Sequence, residues 1–424
     1  MGIEFISIIF LAIMFVVGTF YSINIGVLGF IASFLVFLLS KDLEITAIYS
    51  SFPAELFILL VGVTYFFAII ESNGTVDLIT KWGLSLLRGK VGLIPWVLFF
   101  LALILTSIGT SVIPVCAVLA PIGLRLAFQY KINPIMMVIV MQSGIVAGSF
   151  SPLNIFGIIV NGSLAAENIP FSPVTLYMAI LLFNFLIAVG VFVGLGGIKL
   201  VRSSDNLMNM SELALKYDTA ETNGLNFYRG ITLVFLGLLI VLVLGFQLNM
   251  GFVALTLGAI LAFGNHKSQS EVLKKMPWAT ILLVSGIVTY IGVLSKVGTI
   301  EYVTTAIEKF GNSYITSLVA GYIGAIVSAF ASTTGFLGII FPMVTPILTD
   351  PGISTMGVVV MISLTVSLVD ICPFTTGGAL YLANVQGMPQ RTFFMQLLFV
   401  GGLFVVLTPI VSWIIFVVFG NFIF

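Results

Sequence analysis

Two short runs in this chain break apolar stretches that would otherwise continue as helix. One is Gln142-Ser143-Gly144-Ile145-Val146-Ala147-Gly148-Ser149-Phe150-Ser151-Pro152-Leu153-Asn154; the other is Ser367-Leu368-Val369-Asp370-Ile371-Cys372-Pro373-Phe374-Thr375-Thr376-Gly377-Gly378. Proline removes a backbone donor and glycine weakens a helix, so both runs free backbone N–H and C=O groups. Within an apolar slab such groups persist only where protein, an ion or a water-filled cavity satisfies them. The positive N-terminal ends of half-helices can meet an anion, while freed carbonyls and hydroxyls suit a small hard cation. Asp370 is the charge placed near the middle of such a stretch. It could cap the half-helix after Pro373, but burying a carboxylate is expensive, which favours a role in coupling. With Ser149 and Ser151 it offers the oxygens of a sodium site. The same carboxylate could instead carry a proton if desolvated.

Two polar turns accompany these runs, Thr106-Ser107-Ile108-Gly109-Thr110-Ser111 and Ala331-Ser332-Thr333-Thr334-Gly335, each between two apolar arms (93–128 and 314–348). Arms of about 15 residues rise about 22 Å as helix, short of a hydrocarbon thickness of about 30 Å. The spacing predicts re-entrant hairpins; two complete short spans, favoured by the longer 314–331 arm, would leave the rest of the topology unchanged. Ser107, Gly109, Thr110, Ser332, Thr333 and Thr334 are the candidate substrate ligands, with Asn154, Thr375 and Thr376 close by. Small polar residues also cluster where membrane helices merely pack closely. Packing alone gives no reason for turn and break to recur together in both halves.

The elements that must position these residues are membrane helices. Of the 424 residues 60% are hydrophobic and 8% charged, with a mean hydropathy of +1.23, which no water-soluble core and surface could share. Zero net charge argues against nucleic acid as a partner. Cys116 and Cys372 lie in apolar segments, so no disulfide framework is expected, and one loop histidine, His266, removes His-based catalysis. Neither His-Glu-x-x-His nor Gly-x-Ser-x-Gly occurs, which counts against an intramembrane enzyme. No resident cofactor is expected. The first apolar stretch lacks a basic n-region and a small-residue cleavage site, so it reads as a retained span.

Spans are predicted at 3–20, 23–40, 54–72, 135–160 and 174–198, then at 229–247, 249–264, 278–295, 355–385 and 395–420. The two sets repeat one unit. Pro53 to Thr80 aligns without a gap on Pro277 to Thr304, matching Gly62 to Gly286 and Gly74-Thr75-Val76-Asp77 to Gly298-Thr299-Ile300-Glu301; likewise Asn24-Ile25-Gly26 matches Asn249-Met250-Gly251. Thirteen of the 16 Lys and Arg fall on one side, leaving Lys41, Lys296 and Lys309 on the other. By the positive-inside rule both termini are outside and the linker 199–228 is a cytoplasmic tether. Five spans per half then make the copies inverted: 1–198, with hairpin 93–128 and broken helix 135–160, and 229–424, with hairpin 314–348 and broken helix 355–385. Segments 73–92 and 297–312 read as amphipathic helices along each interface. The fold class is an all-α polytopic membrane protein of two inverted repeats, the signature of a secondary transporter.

The two polar runs, extended through Ile155-Phe156-Gly157-Ile158-Ile159-Val160-Asn161-Gly162 and Ala379-Leu380, resemble the signatures of the MatC-type malonate and dicarboxylate carriers of the ion transporter superfamily, related to the divalent anion:sodium symporters. That resemblance covers nearly the entire chain. It implies import of a small dicarboxylate by an elevator-like movement, sodium as coupling ion, a homodimer built through the remaining helices, and a place in the cell membrane. The sodium-coupled relatives carry Ser-Asn-Thr at both hairpin tips, whereas the tips here contain no asparagine. The ion assignment therefore stays open between sodium and protons. A carrier of the same fold for another cargo, an inorganic-anion permease or a cation/proton antiporter, is the alternative.

The charge asymmetry generates a topological prediction. A cysteine placed in the linker 199–228 should be shielded from an impermeant thiol reagent in intact cells, while one beside Asp350 should label. Labelling in the opposite sense overturns the orientation.

Overall fold

A computed structural model describes residues 2–21, 23–40, 43–85, 91–202, 225–246, 248–264, 269–299, 302, 312–330 and 333–424, and no strand occurs among them. The first half comprises α1 (Ile3–Tyr21), α2 (Ile25–Leu39), α3 (Thr46–Ser50), α4 (Ala54–Ser72), α5 (Thr75–Ser85), α6 (Ile94–Ser107), α7 (Val112–Gln129), α8 (Pro134–Ser149), α9 (Ile155–Ala166), α10 (Pro173–Gly194) and α11 (Gly197–Arg202). The second comprises α12 (Phe227–Ile240), α13 (Met250–Gly264), α14 (Gln269–Lys275), α15 (Trp278–Lys296), α16 (Ser313–Phe330), α17 (Thr333–Met343), α18 (Thr345–Leu348), α19 (Thr355–Leu368), α20 (Thr376–Asn384), α21 (Gln390–Ser412) and α22 (Gly420–Ile423). Most of the linker, and most of the second expected interfacial helix, lie outside the described residues; the first expected interfacial helix is α5.

Six stretches among the described residues are long and apolar enough to cross a membrane: α4, α7, α10, α15, Thr355–Asn384 and Gln390–Val418. The chain is an all-helical membrane protein. Local chemistry sets the helix ends. Asn24, Asn133, Ser172, Asn226 and Ser354 accept first-turn N–H groups of α2, α8, α10, α12 and α19, and Pro134 and Pro173 occupy first-turn positions where no donor is missed. Both breaks fall where expected. The first separates α8 from α9 across 150–154; the second is a 3-10 turn, Val369–Ile371, followed by Pro373.

The arms of the two hairpins are unequal, the longer 314–331 arm as expected and the arm after the first tip also exceeding about 15 residues. Each hairpin has one 18-residue arm, α7 or α16, and a shorter partner, α6 with 14 residues or α17 with 11. Both turns nevertheless end beside the breaks. In the first, Ser151 Oγ donates to Ser107 O at 2.7 Å, and Asn154 Nδ2 donates to Thr106 O at 2.7 Å and Thr110 O at 2.9 Å. In the second, Ser328 Oγ donates to Val366 O at 2.7 Å. Half-helices α8 and α19 form the centre of this body: Ile135 to Ser149 and Gly357 to Leu368 are buried without interruption, on every face.

A second body is built by exchange between the halves. Helix α2 packs on α15, and α4 packs on α13. A Cβ on Gly26 would lie 2.1 Å from Leu282 O and one on Gly286 1.9 Å from Gly26 O; in the partner pair, a Cβ on Gly62 would lie 2.1 Å from Gly251 O. The sequence repeat maps Gly26 to Gly251 and Gly286 to Gly62, so the two contacts are counterparts. Outer contacts follow suit: Ser7 Oγ lies 2.8 Å from Thr299 Oγ1, and Asn73 Nδ2 donates to Thr232 Oγ1 at 2.9 Å. Backbone-to-backbone approach of this kind replaces side-chain interdigitation where lipid supplies no hydrophobic drive for helices to associate.

Substituting Gly286→Ala or Gly62→Ala forces these backbones apart. Each should cost about 1–3 kcal/mol and lower the melting temperature of the detergent-solubilised protein. Gly190→Ala, where a Cβ meets nothing within 4 Å, should leave it unchanged. Equal melting of all three variants would refute the close-contact argument.

Candidate functional site

Five helices begin at one cavity of about 300 Å³, four at the hairpin tips and breaks and the fifth, α15, after Pro277. Its wall is formed by Ser111, Val112 and Ile113 at the start of α7, Asn154, Ile155 and Phe156 at the start of α9, Thr333 and Thr334 at the start of α17, and Thr375 and Thr376 at the start of α20. Asp370 and Phe374 from the second break, with Pro277 and Thr280 from α15, complete it. The four helices at the tips and breaks have 18, 12, 11 and 9 residues, long enough to carry a developed dipole. Each N-terminus is worth roughly half a positive charge, so four sum to about +2 without a cationic side chain. No Lys, Arg or His lines the cavity among the described residues.

The caps differ from those at the ends of α2, α8, α10, α12 and α19. Neither Ser111 nor Asn154 bonds the first-turn N–H groups of its own helix, so the donors of cavity-lining Val112, Ile113, Ile155 and Phe156 have no side-chain cap. Thr375 does cap α20, accepting from Gly378 N, and its own proton goes to the Asp370 or Cys372 carbonyl at 2.6 and 2.8 Å. The Ser111, Thr280, Thr334 and Thr376 hydroxyls make no hydrogen bond to protein among the described residues. They are four more donors for an oxyanion. A cavity of this size is at the small end for ligand sites, which fits a compact anion.

The sequence-predicted residues divide into three groups. Asn154, Thr333, Thr334, Thr375, Thr376 and Asp370 stand on the cavity wall. Ser107, Gly109, Thr110, Ser149 and Ser151 do not line it. Ser107 Oγ pairs with Tyr177 Oη at 2.8 Å, Ser149 Oγ donates to Ile145 O at 2.6 Å, and Ser151 braces the first tip. Gly109, at φ +106°, turns the chain beside Phe67, whose ring would lie 2.2 Å from a Cβ there. Ser332 lies outside the described residues. Ser149, Ser151 and Asp370 are therefore not gathered into one shell on the wall. Ser111 and Thr280 are additions that spacing alone missed. Ser111 could have been found as the first residue of the descending arm, where a helix N-terminus must face the tip's surroundings; Thr280 comes from another body and left no local signal.

Two buried oxygens beside the first tip are orphaned. Both protons of Asn154 Nδ2 are committed to carbonyls, which leaves Asn154 Oδ1 as an acceptor with no donor; Thr110 Oγ1 also lacks a partner. Buried polar atoms without partners are costly, and such a pair attracts a cation or water. At the second tip the Thr333 hydroxyl lies 3.0 Å from Ser328 Oγ, whose own proton goes to Val366 O.

Thr334→Val and Thr376→Val each delete a free hydroxyl at similar volume. Loss of one hydrogen bond to a charged group is worth about 1.5–3 kcal/mol, so anion affinity should fall tenfold or more in titration calorimetry, with melting unchanged. Unaltered affinity in both variants would move the anion away from this wall.

The family model described as dicarboxylate carrier protein MatC N-terminus matches residues 1–149. That stretch contains α1–α8 and the first hairpin, and stops short of the other cavity-lining helix starts. No curated protein matches the chain. Over its first 149 residues the chain is thus similar to the N-terminal part of dicarboxylate carriers of the MatC type.

Proposed function

We propose that this protein is a secondary transporter that imports a small dicarboxylate, of the malonate or C4 class, across the cell membrane. The convergence of four helix N-termini on one small cavity free of cationic side chains carries this reading. Their combined charge of about +2 balances a dianion. Uncapped first-turn donors and hydroxyls supply directional bonds to two carboxylates. The similarity of residues 1–149 to a dicarboxylate carrier family points the same way.

The architecture proposed for this task is an inverted repeat with two re-entrant hairpins. Reciprocal pairing of α2 with α15 and α4 with α13 supports the repeat, and hairpin turns bonded to breaks halfway along crossings support tips at mid-membrane depth. The hairpins and broken helices move as one body against the glycine-welded pairs, in an elevator-like manner. Where the bodies meet, the surfaces are apolar: Gly338 lies against Val284, and Gly335 against Leu283. Both termini lie outside, and a homodimer forms through the second body.

Coupling completes the charge balance. Asp370 adds a negative charge beside a dianion, and one cation offsets it. Sodium would draw on hard oxygens of the kind that ion prefers: the Asp370 carboxylate on the cavity wall, and the orphaned Asn154 Oδ1 and Thr110 Oγ1 beside the first tip. A proton on Asp370 achieves the same balance.

Proteoliposome uptake of labelled malonate, succinate, citrate and sulfate, under an imposed sodium or pH gradient, tests this reading. Malonate or succinate should accumulate against its gradient. Asp370→Asn should abolish the response to whichever gradient drives it. Accumulation of sulfate alone would establish an inorganic-anion permease, and accumulation of none would remove the transport reading.

A further inference from the structure

Away from the central cavity, two adjoining cavities of about 920 and 980 Å³ open between α8, α10 and α21 at the end of the molecule that holds the α7–α8 and α20–α21 loops. They share Asn133, Leu195 and Gln396, so they form one groove. Its character changes along its length. Toward the middle of the helices the wall is apolar, with Ile139, Val191, Phe399 and Leu403, and Gly190 and Gly194 leave open space where a side chain would stand. At the loop end the wall carries Arg391, Lys131 and Lys199, from three separate elements, and no acidic residue lines either cavity. All three cations are exposed, and none has an ion pair or side-chain hydrogen bond among the described residues. Lys131 also holds a left-handed backbone, φ 53°, which a side chain adopts at some cost and which places it at this rim.

We infer that this groove binds an anionic phospholipid, with its phosphate held by Lys131, Lys199 and Arg391 and an acyl chain lying between α10 and α21. Charge complementarity selects the headgroup: three cations with no partner among the described residues, at the level where a helix leaves the hydrocarbon, form a basic pocket between membrane helices. The long apolar continuation selects a lipid over a free phosphate, because an inorganic anion would leave the deeper groove unused. Helices α10 and α21 flank the broken helices that line the central cavity, so the lipid would sit on the body that carries the site. The inference does not depend on the identity of the transported anion.

Native mass spectrometry of the full-length protein, titrated with dioleoylphosphatidylglycerol and with dioleoylphosphatidylcholine, is the test. Each cation near the surface is worth about fivefold in affinity, so phosphatidylglycerol should bind on the order of a hundredfold tighter than phosphatidylcholine. A triple Lys131→Gln, Lys199→Gln, Arg391→Gln variant should erase that preference. Gly190→Leu with Gly194→Leu, which fills the open groove and leaves the cations intact, should release the lipid. Should the triple variant fail to elute as a single species, Arg391→Gln alone should still show the fivefold loss. Equal binding of both lipids to the parent protein overturns the proposal. So does displacement of phosphatidylglycerol by millimolar inorganic phosphate with the glycine variant unaffected, which would identify a plain anion site.

Discussion

If the proposed function holds, the constraint on which the rest of this structure depends is holding a doubly charged anion in a low-dielectric slab without a cationic side chain. Backbone dipoles can do it only if helices start inside the slab, and a helix that starts there must be preceded by a chain reversal or a break. Both devices are present twice. Hairpin tips supply the starts of α7 and α17, and breaks supply the starts of α9 and α20. A helix terminus is typically worth about 0.3–1 kcal/mol to an ion and up to about 2 kcal/mol in partly buried geometry, so one terminus alone gives little hold on a dianion.

Interrupting helices in lipid leaves carbonyls and amides that need partners, and the site's supporting structure answers that need. Asn154 spends both amide protons on the carbonyls of the first tip, Ser151 spends its hydroxyl on a third, and Ser328 does the equivalent work at the second tip. Thr375 closes the second break on itself through its bonds to the Asp370 and Cys372 carbonyls. These side chains look like ligands in sequence because they are polar residues at apolar depth. Many of them serve the backbone and not the substrate.

Rigidity is distributed unevenly between the two bodies. Where α2 meets α15 and α4 meets α13, glycines bring backbones into contact, and contacts of that kind cannot slide without separating. Against them, α17 meets α15 through side chains such as Leu283 and Val284, with no hydrogen bond between the two helices among the described residues.

Composition and periodicity alone determined the membrane class, because an excess of apolar residues has no other solvent, and the positions of both breaks, because Pro and Gly act on the backbone locally. The matched glycines of the sequence repeat were legible too, and Gly26, Gly62, Gly251 and Gly286 all stand at backbone contacts. Tertiary structure decided which polar residues face the cavity. Ser107 and Ser111 are four residues apart on one turn, yet the first pairs with Tyr177 of α10 and the second opens a helix onto the cavity. Thr280 joins the wall from a helix of the other body, far along the chain. The direction of a side chain at a chain reversal depends on what packs around it, and those neighbours are brought together only by the folding of distant segments.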